Sequence, residues 1–192
     1  MGNRLSAAFW LIWIVSFCVG SPQCLAENDL HLTLVIYDYA HVGEQTLGDA
    51  ERATSHIFER LGIQLIWREG FSYAAQRHNA LVPEPEDPTT LVVKLEPEED
   101  AALYGVLSNC GGIALGPNAT VFARRSGGTW LGTIIAHELG HILLGLNAHS
   151  VTGIMRPTLL PEDWVKAEQG TLGFTHSQNQ QIRTWIVQRS RG

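Results

Sequence analysis

Cysteine is scarce in this chain. Its 192 residues hold three, and two of them, Cys18 and Cys24, sit in an N-terminal apolar stretch. Without that stretch only Cys110 remains, so no internal disulfide can brace the fold and stability has to come mainly from packing. Positive charge is scarce too: Lys and Arg number 13 against 19 Asp and Glu, a formal net charge of −6, and no Lys/Arg cluster occurs. That balance argues against nucleic acid or an anionic membrane surface as a partner. The apolar run at 7–19 is too short to span a bilayer, which takes about 20 residues. With no internal repeat and no compositional break, the chain reads as one domain, expected to be a monomer.

What is present at the N-terminus is an export signal. Arg4 precedes the apolar run, Ser21-Pro22 interrupts it, and Cys24 and Ala26 put small residues at −3 and −1 of a cleavage site after residue 26. The expectation is a signal peptide at 1–26 and a secreted domain at 27–192, extracellular or periplasmic; an uncleaved anchor is the alternative. Arg4 is the only charge removed, so the mature domain is slightly more acidic than the full chain. A strand candidate begins only a few residues later, at 31–39, which leaves no room for an inhibitory propeptide.

Further along, Thr46 opens an amphipathic helix with Leu47, Ala50, Ala53, Ile57, Phe58 and Leu61 on one face and Gly62 as its stop. His56 points away from that face, as a solvated side chain would. Strands are expected at 63–68 and 90–95, with a proline-rich exposed excursion over 69–90 between them. Residues 96–100, Glu-Pro-Glu-Glu-Asp, read as a solvated charged turn, and two short strands follow near 112–115 and 119–123. Residues 126–129 are expected to cap a long apolar helix. The pair Thr175 and Gln178 forms a capping box that starts a final helix carrying Ile182, Trp185 and Ile186.

The chemistry is concentrated at 136–155, A-H-E-L-G-H-I-L-L-G-L-N-A-H-S-V-T-G-I-M. Residues four apart share a helix face. His137 and His141 would therefore converge on one point, where a zinc ion about 2.0–2.1 Å from each nitrogen can sit. Glu138 borders that point without being a natural ligand, the place for a general base acting on a water. The flanks (Trp130, Leu131, Ile134, Ile135, Leu139, Ile142, Leu143, Leu144) make the helix central and buried. Polar side chains in such a helix are costly unless used.

This segment resembles the active-site region of the metzincin clan of zinc peptidases, and its His149-Ser150 and Ile154-Met155 pairs are similar to the matrixin branch. The resemblance implies His137, His141 and His149 as zinc ligands, Glu138 as catalytic base, Gly145 as the helix break and Met155 as the methionine packed beneath the metal. It also implies a zincin-like α+β fold: a mixed twisted sheet of about five strands, an active-site helix, an upper lobe at about 27–145, and a small irregular lower lobe at about 146–192 ending in a helix. The spacing departs from the clan. Glycine and third ligand lie four and eight residues after His141 instead of three and six. The residue added before Gly145 turns the helix end by about 100°, and the one added after it gives slack to bring His149 back. Gly145 is expected in the left-handed conformation. The other third ligand is a carboxylate, Glu162 or Glu168, as in the gluzincin arrangement, which the first motif also resembles.

The expected activity is hydrolysis of peptide bonds in a peptide or protein substrate, by a zinc-activated water with Glu138 moving the proton. In the resemblance the strand before the active helix borders the cleft, where substrate would add as another strand along Gly111, Gly112 and Ala114. Arg156 is a candidate for holding an anionic intermediate or a substrate carboxylate. Cys110 reads as a small apolar residue, a metal-blocking thiol or an intermolecular link. The readings from other classes are a zinc-binding, peptide-binding domain without catalysis, and a structural zinc site.

Overall fold

The computed structural model describes residues 30–70, 85–107, 110–123 and 127–191. The expected signal at 1–26, most of the excursion at 69–90 with His78 and Pro83, and Ser126 lie outside the described residues.

The order of elements is β1 (Leu30–Asp38), α1 (Glu44–Glu59), β2 (Ile63–Glu69), β3 (Thr90–Pro97), a 3-10 helix (Glu98–Tyr104), β4 (Gly112–Leu115), β5 (Asn118–Ala123), α2 (Gly128–Leu144), α3 (Pro161–Glu168) and α4 (His176–Arg189). The strands form one mixed sheet in the order β2-β1-β3-β5-β4, in which only β4 runs antiparallel. The chain is thus α+β with a five-stranded sheet.

Register explains the core. Leu34 pairs with Leu91 and Ile36 with Val93; Val93 in turn pairs with Ala119 and Leu95 with Val121. Side chains alternate between faces along a strand, so this parity lines one face of four parallel strands with aliphatic groups. That face joins Phe58 of α1 and Leu131, Ile135 and Leu139 of α2 in a single buried cluster. Helix α2 is apolar on nearly all sides because it is covered on nearly all sides, by α1, the sheet, α3 and α4. Thr54 of α1 donates to the Gly132 carbonyl of α2 at 3.1 Å, fixing the two helices at close approach.

Several expectations need correcting. The charged turn at 96–100 is the end of β3 running into the 3-10 helix. Glu96 is buried, at 1% exposure; strand parity puts it beside Val92 and Lys94, on the face that Tyr104 covers, and Tyr104 Oη donates to its Oε1 at 2.9 Å. The cap of α2 is Gly127, without a side-chain hydrogen bond. His56 is exposed yet bonded to the Gly170 carbonyl at 3.2 Å, which Arg60 also reaches at 3.1 Å, so the end of α1 is tied to the loop before α4. The cleft-edge strand is β4, since β5, immediately before α2, is enclosed between β3 and β4. The segment after α2, expected to be irregular up to the final helix, contains α3 as well.

Candidate metal centre

One turn of α2 presents His137, Glu138 and His141. The two imidazoles face each other, with ring centroids 4.8 Å apart and Nε2 atoms 3.1 Å apart. His149 comes back to them: its ring lies 4.7 Å from that of His141 and 5.6 Å from that of His137. Three histidines therefore lie close enough to bind a metal ion, each offering a nitrogen within 4.8 Å of the others. Among the described residues no carboxylate joins this group. Glu162 is exposed and lies 3.6 Å from Arg156, and Glu168 is exposed on α3.

The return of His149 depends on backbone geometry. Gly145 ends α2 with φ 98° and ψ 162°. Its φ is positive as expected, but its ψ lies outside the left-handed helical region, in a conformation open essentially to glycine alone. The chain leaves the helix axis sharply there, and Ala148 N closes back on the Gly145 carbonyl at 3.1 Å. Gln178 of α4 holds the next step: its Nε2 donates to the Ala148 carbonyl at 3.0 Å while its Oε1 accepts from Thr175 N at 3.0 Å. One side chain thus caps α4 and anchors the backbone beside His149.

Beneath the histidines the turn at 150–156 is closed by Ser150 N on the Met155 carbonyl at 2.9 Å. It carries two supports. The Ile154 carbonyl lies 2.7 Å from Nδ1 of His137; a carbonyl can only accept, so Nδ1 holds the proton and the Nε2 lone pair is left facing His141. Met155 is fully buried against the backbone of α2 at Gly140, where an added Cβ would collide with the Met155 sulfur and lie 2.8 Å from Cε1 of Phe174.

Glu138 lies at 5% exposure, and among the described residues it makes no hydrogen bond or ion pair. Burial alone pushes its pKa up to about 8. It packs on the edge strand at Gly112, where a Cβ would come 2.7 Å from Cγ and 2.9 Å from Cδ of Glu138. Burial likewise lowers His137 to about 4 against the opposing bond to Ile154, with His141 and His149 adding to the shift. His141 is also lowered, chiefly by burial. The Gly145 backbone opposes that shift, although it lies outside strict hydrogen-bond geometry to the buried Nδ1.

These residues fit a metal ion. Tetrahedral bonds of about 2.0–2.1 Å put ligand nitrogens roughly 3.3–3.4 Å apart, close to the 3.1 Å between His137 and His141. The shifts favour neutral imidazole, the form that ligates, and the tautomer of His137 presents the correct nitrogen.

The centre opens into a cleft of about 520 Å³ walled by Gly111, Gly112 and Ala114 on one side and by Trp130, Trp164 and Leu159 on another. Trp130 and Trp164 stack at 6.1 Å and 22°. Arg156 lines the cleft too, but its guanidinium faces the buried Asp163 at 3.4 Å. Cys110 stands at the cleft wall, half-buried, its thiol donating to the Gly112 carbonyl at 2.9 Å.

No protein-family model matches this chain, and no curated protein does.

Sequence reasoning passed over Gln178 as a support for His149, the Ile154 carbonyl, and the stacked tryptophan pair. The capping box did single out Gln178, and the apolar flank included Trp130. Nothing in the sequence placed Ala148 or Trp164 opposite them.

Proposed function

We propose that the chain is a secreted zinc metallopeptidase of the zincin type that hydrolyses peptide bonds with Glu138 as general base. The observation that carries this reading is a largely buried glutamate, without a hydrogen-bond or ion-pair partner among the described residues, set beside three convergent imidazoles in a cleft bordered by an edge strand. A purely structural metal site gives no reason to bury such a group, because burying an unpaired carboxyl is costly. A zinc ion held by His137, His141 and His149 supplies Lewis-acid polarisation of a carbonyl and makes a water acidic enough to react near neutral pH.

The residues divide the remaining work. Glu138 takes the proton of the attacking water and passes it to the leaving amine. The Ile154 carbonyl keeps His137 in one tautomer, Met155 braces the helix between the two ligands, and Gln178 holds the loop that presents His149. An extended substrate is positioned beside β4, whose outer edge has no neighbouring strand among the described residues. The nearly apolar tryptophan side of the cleft receives one of its side chains.

The test compares the zinc-loaded full chain with Glu138→Gln on a mixed peptide pool read by mass spectrometry. The reading expects cleavage by the first and none by the second, at equal zinc content. Equal cleavage by both removes Glu138 from the mechanism. Zinc-loaded chain that cleaves nothing leaves the alternative, a zinc-holding domain that binds peptides.

A further inference from the structure

The segment from His141 to His149 is where this chain departs from the spacing it otherwise resembles, and one of its two added residues lies in the turn after Gly145. Leu146 projects from that turn at 68% exposure. It lines a second, smaller cavity of about 140 Å³, whose lining also includes Leu115, at 75% exposure, at the end of β4. Ile142 and His141 line the same cavity. Ala114, His141 and Leu146 border both this cavity and the main cleft, so the two hollows adjoin at the metal centre, with the tryptophans lining only the larger one.

A single exposed leucine on a surface is ordinary. Two that line one concavity, beside a cluster of metal-binding groups and at the end of an edge strand, need a reason. Among the described residues no acidic, lysine or arginine side chain lines this cavity, so it suits an aliphatic group over a charged one. A peptide extended along β4 would run past His141 from one hollow to the other.

We propose that Leu146 is a specificity-determining residue: with Leu115 and Ile142 it forms a subsite for an aliphatic side chain of a bound peptide, on the side of the metal centre away from Trp130 and Trp164. The substrate class is therefore peptide carrying an aliphatic residue a short distance from the bond at the centre. This rests on the peptidase reading for its biological sense, and its test is independent of turnover.

The experiment uses full-length zinc-loaded Glu138→Gln, so that bound peptide is not consumed, and labelled peptides identical except for Leu, Gly or Asp at one scanned position. Affinity is read by fluorescence anisotropy. At one position Leu should bind about tenfold more tightly than Gly, the scale expected for partial burial of an isobutyl group, and Asp should bind no better than Gly. In Leu146→Ser the Leu-to-Gly ratio should fall to within about threefold, and Leu115→Ser, altering another part of the lining, should reduce it independently. Circular dichroism and zinc content verify that each variant is folded and loaded. A ratio near unity at every position, or a ratio that survives both substitutions, overturns the subsite. Failure of the peptidase reading shows separately, as absence of cleavage by the chain with Glu138 intact while the ratios behave as described.

Discussion

Replacing Glu138 by Gln should stabilise the metal-free protein, by an amount that grows with pH. In the folded chain burial raises this carboxyl to about 8 from its ordinary 4.5, while in the unfolded chain it titrates normally. Between those values the folded state holds the proton and the unfolded state has lost it. The folded state therefore binds more protons, and stability falls as pH rises. Each pKa unit corresponds to about 1.4 kcal/mol. The cost of Glu138 is thus below about 1 kcal/mol at pH 5 and of the order of 4 kcal/mol at pH 8, an upper figure because water entry and relaxation reduce it. Gln does not titrate, and any packing effect it has is the same at both pH values. The assay is urea unfolding of EDTA-treated wild type and Glu138→Gln at pH 5 and pH 8. The difference in unfolding free energy should grow by at least about 2 kcal/mol in favour of the variant between the two. Bound zinc should shrink that gain, because a cation beside the carboxylate favours its charged form. A difference that does not change with pH would show that the carboxyl is hydrated and ordinary, and the argument from burial would fail.

His137 gives the opposite slope. Its folded pKa is lowered to about 4 from 6.5, so the unfolded state binds more protons between those values and the metal-free protein loses stability as pH falls from 6.5 towards 4. The loss is about 3 kcal/mol at most, and it should be largely absent from the unfolding curves of His137→Asn. Gly140→Ala should destabilise the fold by about 2–3 kcal/mol, the scale of overpacking, because its methyl group meets Met155 and Phe174; thermal unfolding measures it. Gln178→Ala removes the bond to Ala148 beside His149 and should weaken zinc binding by about tenfold in a chelator competition, with α4 still formed by circular dichroism.

The part of the centre written in local spacing was readable before the structure. A spacing of four from His137 to His141 puts two imidazoles on one helix face, and Glu138 follows the first of them at the border of that face. The unusual spacing to Gly145 and His149 also read correctly as a longer loop that returns, because a positive φ at glycine is a local property. Its ψ was not readable, since that depends on where Ala148 docks. Contacts between distant segments were illegible for the same reason: the Ile154 carbonyl that fixes His137 arrives across a turn whose closure depends on Met155 fitting against Gly140. Strand identity followed from β-branched and apolar runs, but the sheet order that puts β4 at the edge did not, because a hairpin alone does not say which of its strands faces outward. Glu96 misled for a related reason. Four of the five residues at 96–100 are acidic or proline beside it, and only strand parity, known once β3 is paired, assigns its side chain to a covered face.

The most direct test is the metal content of the purified protein, measured by plasma mass spectrometry after zinc reconstitution and gel filtration, with His149→Ala alongside. The account predicts about one zinc ion per wild-type chain and a large loss of retained zinc in the variant. Wild-type chain that emerges without stoichiometric metal, or a variant that holds zinc as firmly as wild type, contradicts it.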